Sequence, residues 1–439
     1  MTEPIIIDKS AALNHFSAMI KCETTEDNAL ALSSFRELLQ QLYPNIDKTC
    51  PRELAGNGVI YHWKGADSSK SIVLMSHYDV VPADAKAWSY QPFSGTNAEG
   101  RIWGRGAIDT KCTLCAIMEC VERLIETGFV PKNDIYLCFG GDEETTGKSA
   151  KRIARRLYRR GIRPYLVVDE GGAVVNATEY GIQKPCVLVG IAEKGYLDVE
   201  FITSGKGGHT SLPPAFNPME EMGEVLHRIN KKNPFKFKIC RPVATTVKYA
   251  LKHAGFKHRT LIRAYRFWGR WLSKLIAKKF PEIKAMSGTI GSITQIEGGS
   301  AANVIPEKVR AVGNFRLVTG ESVEYAMKTI KKTLKGLYVE INLLRGVDPS
   351  ETSTIKGEGW DKLCKAITAT WGDNALIPYL MLAGSDSRHY SIVSDSVYRF
   401  SPITLSHRDR VCIHGVNESI EIDNFLKIIS FYVNLITGL

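Results

Sequence analysis

The chain has 439 residues, 44% hydrophobic and 23% charged. That is an ordinary globular composition, with room for two or three cored domains. There is no apolar run of about 18 residues or more, and the amino terminus MTEPIIIDKSAALNHF lacks a basic n-region and a long apolar stretch. Neither a membrane span nor a secretory signal is therefore expected, and the expected location is the cytoplasm.

The net charge of +11 is local: residues 231–285 hold 16 Lys or Arg against one acid, Glu282, so the rest of the chain carries −4. With no nucleic-acid-binding motif to organise that charge, nucleic acid is not an expected partner. Ten cysteines follow no disulfide framework, which fits free thiols in a reducing compartment.

In chain order, SIVLM (Ser71 to Met75) reads as a strand running into SHYDVVP, which holds His77 and Asp79. The glycine-rich GRGAIDTK then presents Asp109 and opens a helix over 112–126, with Leu114, Ile117, Met118, Val121 and Leu124 at helical spacing. Cys112 and Cys115 form a CxxC on that helix; with no second pair of that kind, they read as packing residues. DIYLCF (Asp134 to Phe139) is a strand preceding Glu143 and Glu144 in GDEETTG, and a helix is expected over 148–160. YLVV (Tyr165 to Val168) is a strand followed by Asp169 and Glu170.

Short, nearly continuous apolar runs alternating with helices predict an α/β layer with a mixed, largely parallel sheet, its chemistry at strand carboxyl ends. The pattern changes near Ile191. LDVEFITS and the segments from Gly288 to Val318 alternate like half-exposed strands. The expected organisation is a catalytic domain in two segments, 1–192 and 318–439, interrupted by an α+β unit over 193–317. A carboxyl-terminal helix is expected over 423–436.

The residue types suggest metal chemistry. An imidazole is a good terminal metal ligand, and a carboxylate can bridge two ions through its two oxygens. His77 would bind one metal, with Asp79 accepting from its other ring nitrogen and fixing its orientation. Asp109 would bridge. Of the adjacent Glu143 and Glu144, one would bind metal and the other would take a proton from bound water. Either Asp169 or Glu170 would complete one site, and His414, in the compact turn IHGVNE, would supply the second imidazole.

These segments resemble the metallopeptidase family that contains aminoacylase, acetylornithine deacetylase, succinyl-diaminopimelate desuccinylase and carboxypeptidase S, over about residues 70 to 420. GGHTSLPP (Gly207 to Pro214), SAANVIPE (Ser300 to Glu307), NFR (Asn314 to Arg316) and GSDSRHY (Gly384 to Tyr390) resemble the carboxypeptidase S and N-acyl amino acid hydrolase subgroup.

The resemblance implies that His77, Asp109 and Glu170 hold one divalent metal, zinc by default with manganese or cobalt able to substitute. Asp109, Glu144 and His414 hold the other, and Glu143 is the general base. Some relatives use the aspartate position, which keeps Asp169 as a rival to Glu170. Thr110 stands where the family usually has a second Asp. His209 resembles the lid histidine that steadies the oxyanion and that, in dimeric relatives, arrives from the partner subunit. A homodimer through the inserted unit is thus implied. Asn303 and Arg316 resemble substrate-orienting residues, and Arg388, in the turn that begins at Gly384, is a second guanidinium for a substrate carboxylate.

RTLIRAYRFWGRWLSKLIAKK (Arg259 to Lys279) has one apolar and one cationic helical stripe. It reads either as a packed lid helix or as a contact with an anionic membrane surface. The activity expected is hydrolysis of an amide in peptides or N-acyl amino acids with a free carboxylate. A dimetal aminopeptidase and a catalytically silent membrane-surface binding protein are the alternatives.

Overall fold

The structure is a computed structural model that describes residues 6–231, 234–236, 238–256, 259–260, 285–286 and 288–438. One sheet of eight strands runs in the order Arg52–Ala55, Gly58–Trp63, Asn133–Gly140, Asp67–His77, Leu166–Val175, Val397–Leu405, Cys186–Glu193 and Ala375–Met381. Its centre, from Asn133–Gly140 to Val397–Leu405, is parallel. The flanking pairings of Gly58–Trp63 with Asn133–Gly140 and of Val397–Leu405 with Cys186–Glu193 are antiparallel.

The near-continuous apolar runs are explained by burial on both faces, since successive strand residues point to opposite sides. Ile72 and Leu74 enter a core shared with Phe16, Leu114, Trp360 and Phe425 from four helices. Val73 and Met75 enter a second core with Ile153 and Leu157 of the helix Lys148–Arg159. The helices Lys111–Glu126, Lys148–Arg159 and Ile422–Thr437 each fall within a residue of their expected bounds at both ends. Cys112 and Cys115 are buried free thiols, and burial pushes both thiols well above their usual range. All ten cysteines are free.

A second, antiparallel sheet has the order Ile290–Glu297, Lys308–Leu317, Gly195–Ser204 and Glu340–Val347. Leu197, Val199 and Phe201 alternate onto one face and pack with Met222 and Val225 of the helix Pro218–Lys231. Ala326 and Ile330 of the helix Val323–Thr333 close the same core. This sheet and core extend past residue 317, because Glu340–Val347 pairs with Gly195–Ser204 along its length. We propose that the inserted unit spans about 195–347, longer than the 193–317 expected from sequence. The amphipathic stretch of 259–279 lies, from residue 261 onward, outside the described residues. Among the described residues no helix is long and apolar enough to cross a membrane.

Leu74 is fully buried on the strand that ends at His77. Leu74→Ala should lower stability by about 2–5 kcal/mol through lost transfer energy and a residual cavity. Urea unfolding would read this, and a change below about 0.5 kcal/mol would contradict the packing.

Candidate metal centre

The strand Asp67–His77 delivers His77 at its carboxyl end, only 2% exposed. His77 Nε2 lies 3.1 Å from Asp109 Oδ1 and 3.4 Å from Glu170 Oε1. The other oxygen of Asp109, Oδ2, lies 3.1 Å from His414 Nε2, which is also 3.1 Å from Glu144 Oε1. One carboxylate thus stands between two imidazoles, each with a further carboxylate beside it.

Each group is held by its own local structure. The Asp109 loop wraps the wholly buried Glu418, whose carboxylate accepts from Gly106 N (3.1 Å), Ile108 N (2.7 Å) and Asp109 N (3.1 Å). Arg105 Nη1 completes the clamp at 2.8 Å. Glu418 follows His414 by four residues, so one short segment supplies both the imidazole and the anchor for the bridging carboxylate. His414 itself sits at φ 58°, a left-handed conformation that costs a non-glycine residue about 1–3 kcal/mol. The Asp109–Thr110 peptide is cis.

Asp142 locks the turn that presents Glu143 and Glu144. Its carbonyl accepts from Thr146 N (3.0 Å) and Gly147 N (2.7 Å), and its carboxylate accepts from Ser149 N at 3.0 Å. Glu144 N donates to Asp79 Oδ2 at 2.9 Å. His77 Nδ1 is 3.0 Å from the main-chain carbonyl of Asp79 and 3.5 Å from its Oδ1. The orienting acceptor is therefore chiefly the Asp79 carbonyl, while the carboxylate, expected to take that role, tethers the Glu144 backbone.

Asp169 and Glu170 were expected after a strand, yet the strand Leu166–Val175 runs through them. Arg399 pairs with Asp169 and Phe400 with Gly172, so Glu170 and Gly171 form a bulge. Gly171 has φ 138°, and a Cβ there would meet Met381 Sδ at 2.5 Å. Such a bulge re-aims a side chain. Glu170 turns to His77, while Asp169 Oδ2 accepts from Ser387 N at 2.8 Å.

The electrostatics are those of crowded carboxyl groups. Burial, helped by the charge of Glu170, holds the Glu143 carboxyl well above its usual range. Burial likewise pushes Glu170 up to about 8. Hydrogen bonds to Asp109 and Glu144 lift His414 to about 10. Burial opposes a charged His77, but Glu170 and the bond to Asp109 win and raise it. Burial also opposes the Asp109 carboxylate, yet the two imidazoles hold it below its usual range.

Two donor triads, His77–Asp109–Glu144 and His77–Glu143–Glu170, each have ligand atoms within 4.8 Å of one another. Buried carboxylates at this density are costly without a cation, and imidazole with carboxylate oxygen is a donor set suited to zinc and its neighbours. The residues present fit divalent metal.

The remaining predicted residues stand on other elements. His209 is exposed on the short strand Gly208–His209, paired with Val304–Ile305, and its Nδ1 is 2.7 Å from Ser211 Oγ. Asn303 stands beside it, its carbonyl accepting from Thr210 N at 3.1 Å. Arg388 lies 3.3 Å from Glu193, and Gly384 leaves room for its guanidinium, since a Cβ there would meet Nη2 at 1.6 Å. Arg316 and Arg388 both flank the ring of Tyr196, at 5.9 and 6.0 Å. Sequence reasoning missed Glu418 as a clamp, although it ends the quoted IHGVNE. It also missed Glu193, buried and paired with Arg399 at 2.9 Å, and Arg345, 5.3 Å from Tyr196.

An α/β sheet carrying such a centre at its carboxyl edge, with an antiparallel unit inserted, defines a metal-dependent hydrolase. The chain belongs to peptidase family M20/M25/M40, which it matches over residues 73–438. It is 29% identical over 436 residues to the N-fatty-acyl-amino acid synthase/hydrolase PM20D1.1 of Danio rerio, covering 96% of this chain and 84% of the relative. It is 28% identical over 452 residues to carboxypeptidase S of Saccharomyces cerevisiae, covering 92% of this chain and 77% of the relative. The structure resembles that of an M20 family metallo-carboxypeptidase from Sulfolobus solfataricus, with a TM-score of 0.72, 19% identity and 99% of each chain covered. The family read from the motifs is the family found.

Glu418→Ala leaves Arg105 buried and unpaired and frees the Asp109 loop. It should cost about 3–5 kcal/mol of stability and reduce bound metal. Metal content by mass spectrometry, measured on folded protein, would test this; wild-type stoichiometry would remove Glu418 from the centre.

Proposed function

We propose that the protein is a dimetal amidohydrolase that cleaves an amide bond in peptides or N-acyl amino acids bearing a free carboxylate. The observation that carries this reading is Asp109, whose two oxygens face His77 and His414 at the same 3.1 Å. In this reading His77, Asp109 and Glu170 hold one ion, and Asp109, Glu144 and His414 the other. Asp169 supports the Ser387 turn rather than binding metal. Zinc suits these donors, with manganese or cobalt as substitutes. The names of the relatives, a carboxypeptidase and an N-acyl amino acid hydrolase, agree with this substrate class.

Divalent metal held by these residues would acidify a bound water and polarise a carbonyl. Glu143, which stands within ligand reach of His77 and Glu170, would act in this reading as the general base that accepts the proton of the attacking water. It then returns it to the departing amine, a transfer its buried setting suits. Asp79 keeps His77 and the Glu144 backbone in register. Arg316 and Arg388 receive the substrate carboxylate, to which a guanidinium offers a bidentate match. His209, exposed on the strand Gly208–His209, would steady the oxyanion from a second copy of the chain in a homodimer, as the resemblance implies.

The test is a panel of N-acetyl and long-chain N-acyl amino acids and dipeptides, offered to metal-loaded protein. Chelation should abolish turnover and zinc should restore it; turnover that survives full metal removal would defeat the proposal. Glu143→Gln should retain metal yet lose about 10²–10⁴-fold in kcat. A smaller loss would assign the base elsewhere.

A further inference from the structure

The sheet Gly195–Ser204 has one apolar face, formed by Leu197, Val199 and Phe201, and one polar face. On the polar face the carboxylates are partnered step by step along the strand. Glu200 takes Arg310 at 2.6 Å, and Asp198 takes the Asn314 amide at 2.6 Å. At the next position the matching stops. Tyr196 is flanked by Arg345 at 5.3 Å, Arg316 at 5.9 Å and Arg388 at 6.0 Å. Among the described residues neither Arg316 nor Arg345 makes an ion pair. Asp198, opposite Arg345 in register, makes none either and is held by Asn314. Arg388 has Glu193, but that carboxylate is shared with the buried Arg399. The buried Lys194, its Nζ spent on the carbonyls of Ala285 and Gly288, adds a further positive group.

This excess adjoins the metal centre. Arg345 Nη2 donates to the carbonyl of Thr145 at 2.7 Å, one residue beyond Glu144. Arg388 follows Ser387, whose N–H is held by Asp169, the neighbour of Glu170. Three guanidinium groups around one ring repel one another unless anions sit among them. A single substrate carboxylate would answer Arg316 and leave Arg345 unmatched.

We propose that Arg345 forms a second anion subsite beside Arg316, so that the preferred substrates are amides whose carboxyl-terminal residue is aspartate or glutamate. This rests on the amidohydrolase reading and deepens it by naming the substrate class. The α-carboxylate meets Arg316 with Arg388, and the side-chain carboxylate meets Arg345, a specificity-determining residue.

The experiment is calorimetric binding of N-acetyl-L-glutamate and N-acetyl-L-glutamine to the metal-loaded Glu143→Gln variant, which reads affinity without turnover. Glutamate should bind at least about tenfold more tightly. Adding Arg345→Gln should bring the two ligands to within about twofold. Arg345→Lys should recover part of the difference, because it restores the charge without the planar fork that reaches Thr145. Equal affinities in Glu143→Gln, a ratio that survives Arg345→Gln, or no binding of either ligand overturns the proposal. Chelator-sensitive hydrolysis of N-acetyl-L-leucine by the wild type reports on the amidohydrolase reading separately. If that activity is present while glutamate and glutamine bind alike, only the acidic specificity fails.

Discussion

The arrangement depends on one carboxylate shared between two imidazoles. Asp109 reaches His77 with one oxygen and His414 with the other. The three residues come from separate parts of the chain, and Glu143, Glu144 and Glu170 crowd around them. Such a cluster is electrostatically unfavourable on its own. A cation that binds only the folded arrangement reverses that sign and stabilises the fold by linkage. The clamp on Glu418 follows from the same need. The Asp109 loop can be held at the required angle only if its backbone N–H groups are satisfied, and a buried carboxylate satisfies three at once.

Much of this was legible in the sequence because the ligands sit where strands end. A near-continuous apolar run announces a strand buried on both faces, and the first polar residues after it fall at the sheet's carboxyl edge. His77, Glu143 and Glu144 were found that way, and the helix Lys111–Glu126 followed from its 3.6-residue period. The parts that escaped depend on pairing between distant segments. Nothing in VVDEGG tells that the strand continues to Val175, because the bulge at Glu170 exists only against Val397–Leu405. The extent of the inserted sheet escaped for the same reason. Glu340–Val347 is largely exposed, and its membership is set by its register with Gly195–Ser204.

Asp79 shows a different limit. The motif places Asp79 behind the ring of His77, but a main-chain carbonyl and a carboxylate in the same residue are indistinguishable from sequence. The backbone took the imidazole and left the side chain free to hold Glu144 N. Both contacts serve one end, since they fix His77 and Glu144, two members of one donor triad, to the same residue.

The junction at Glu193–Gly195 is where the two units are made into one frame. Glu193 ends a strand of the large sheet, and its carboxylate takes Arg399, Arg388 and the Ser385 N–H. Three residues later Tyr196 is in the small sheet, amid the arginines. Arg388, next to Ser387, is tied in turn to the strand of Glu170, because Ser387 N donates to Asp169. Arg345 closes the loop from the other side, by donating to Thr145 beside Glu144. Spacing between the arginines and the carboxylate cluster is therefore set by short covalent and hydrogen-bonded paths. That is the condition under which a substrate held by its charged end presents its amide at a fixed distance from the reacting groups. It also explains why nothing in the sequence announces that the arginines converge, although NFR and GSDSRHY single out two of them. They stand on separate strands and a turn, and only the junction brings them to one ring.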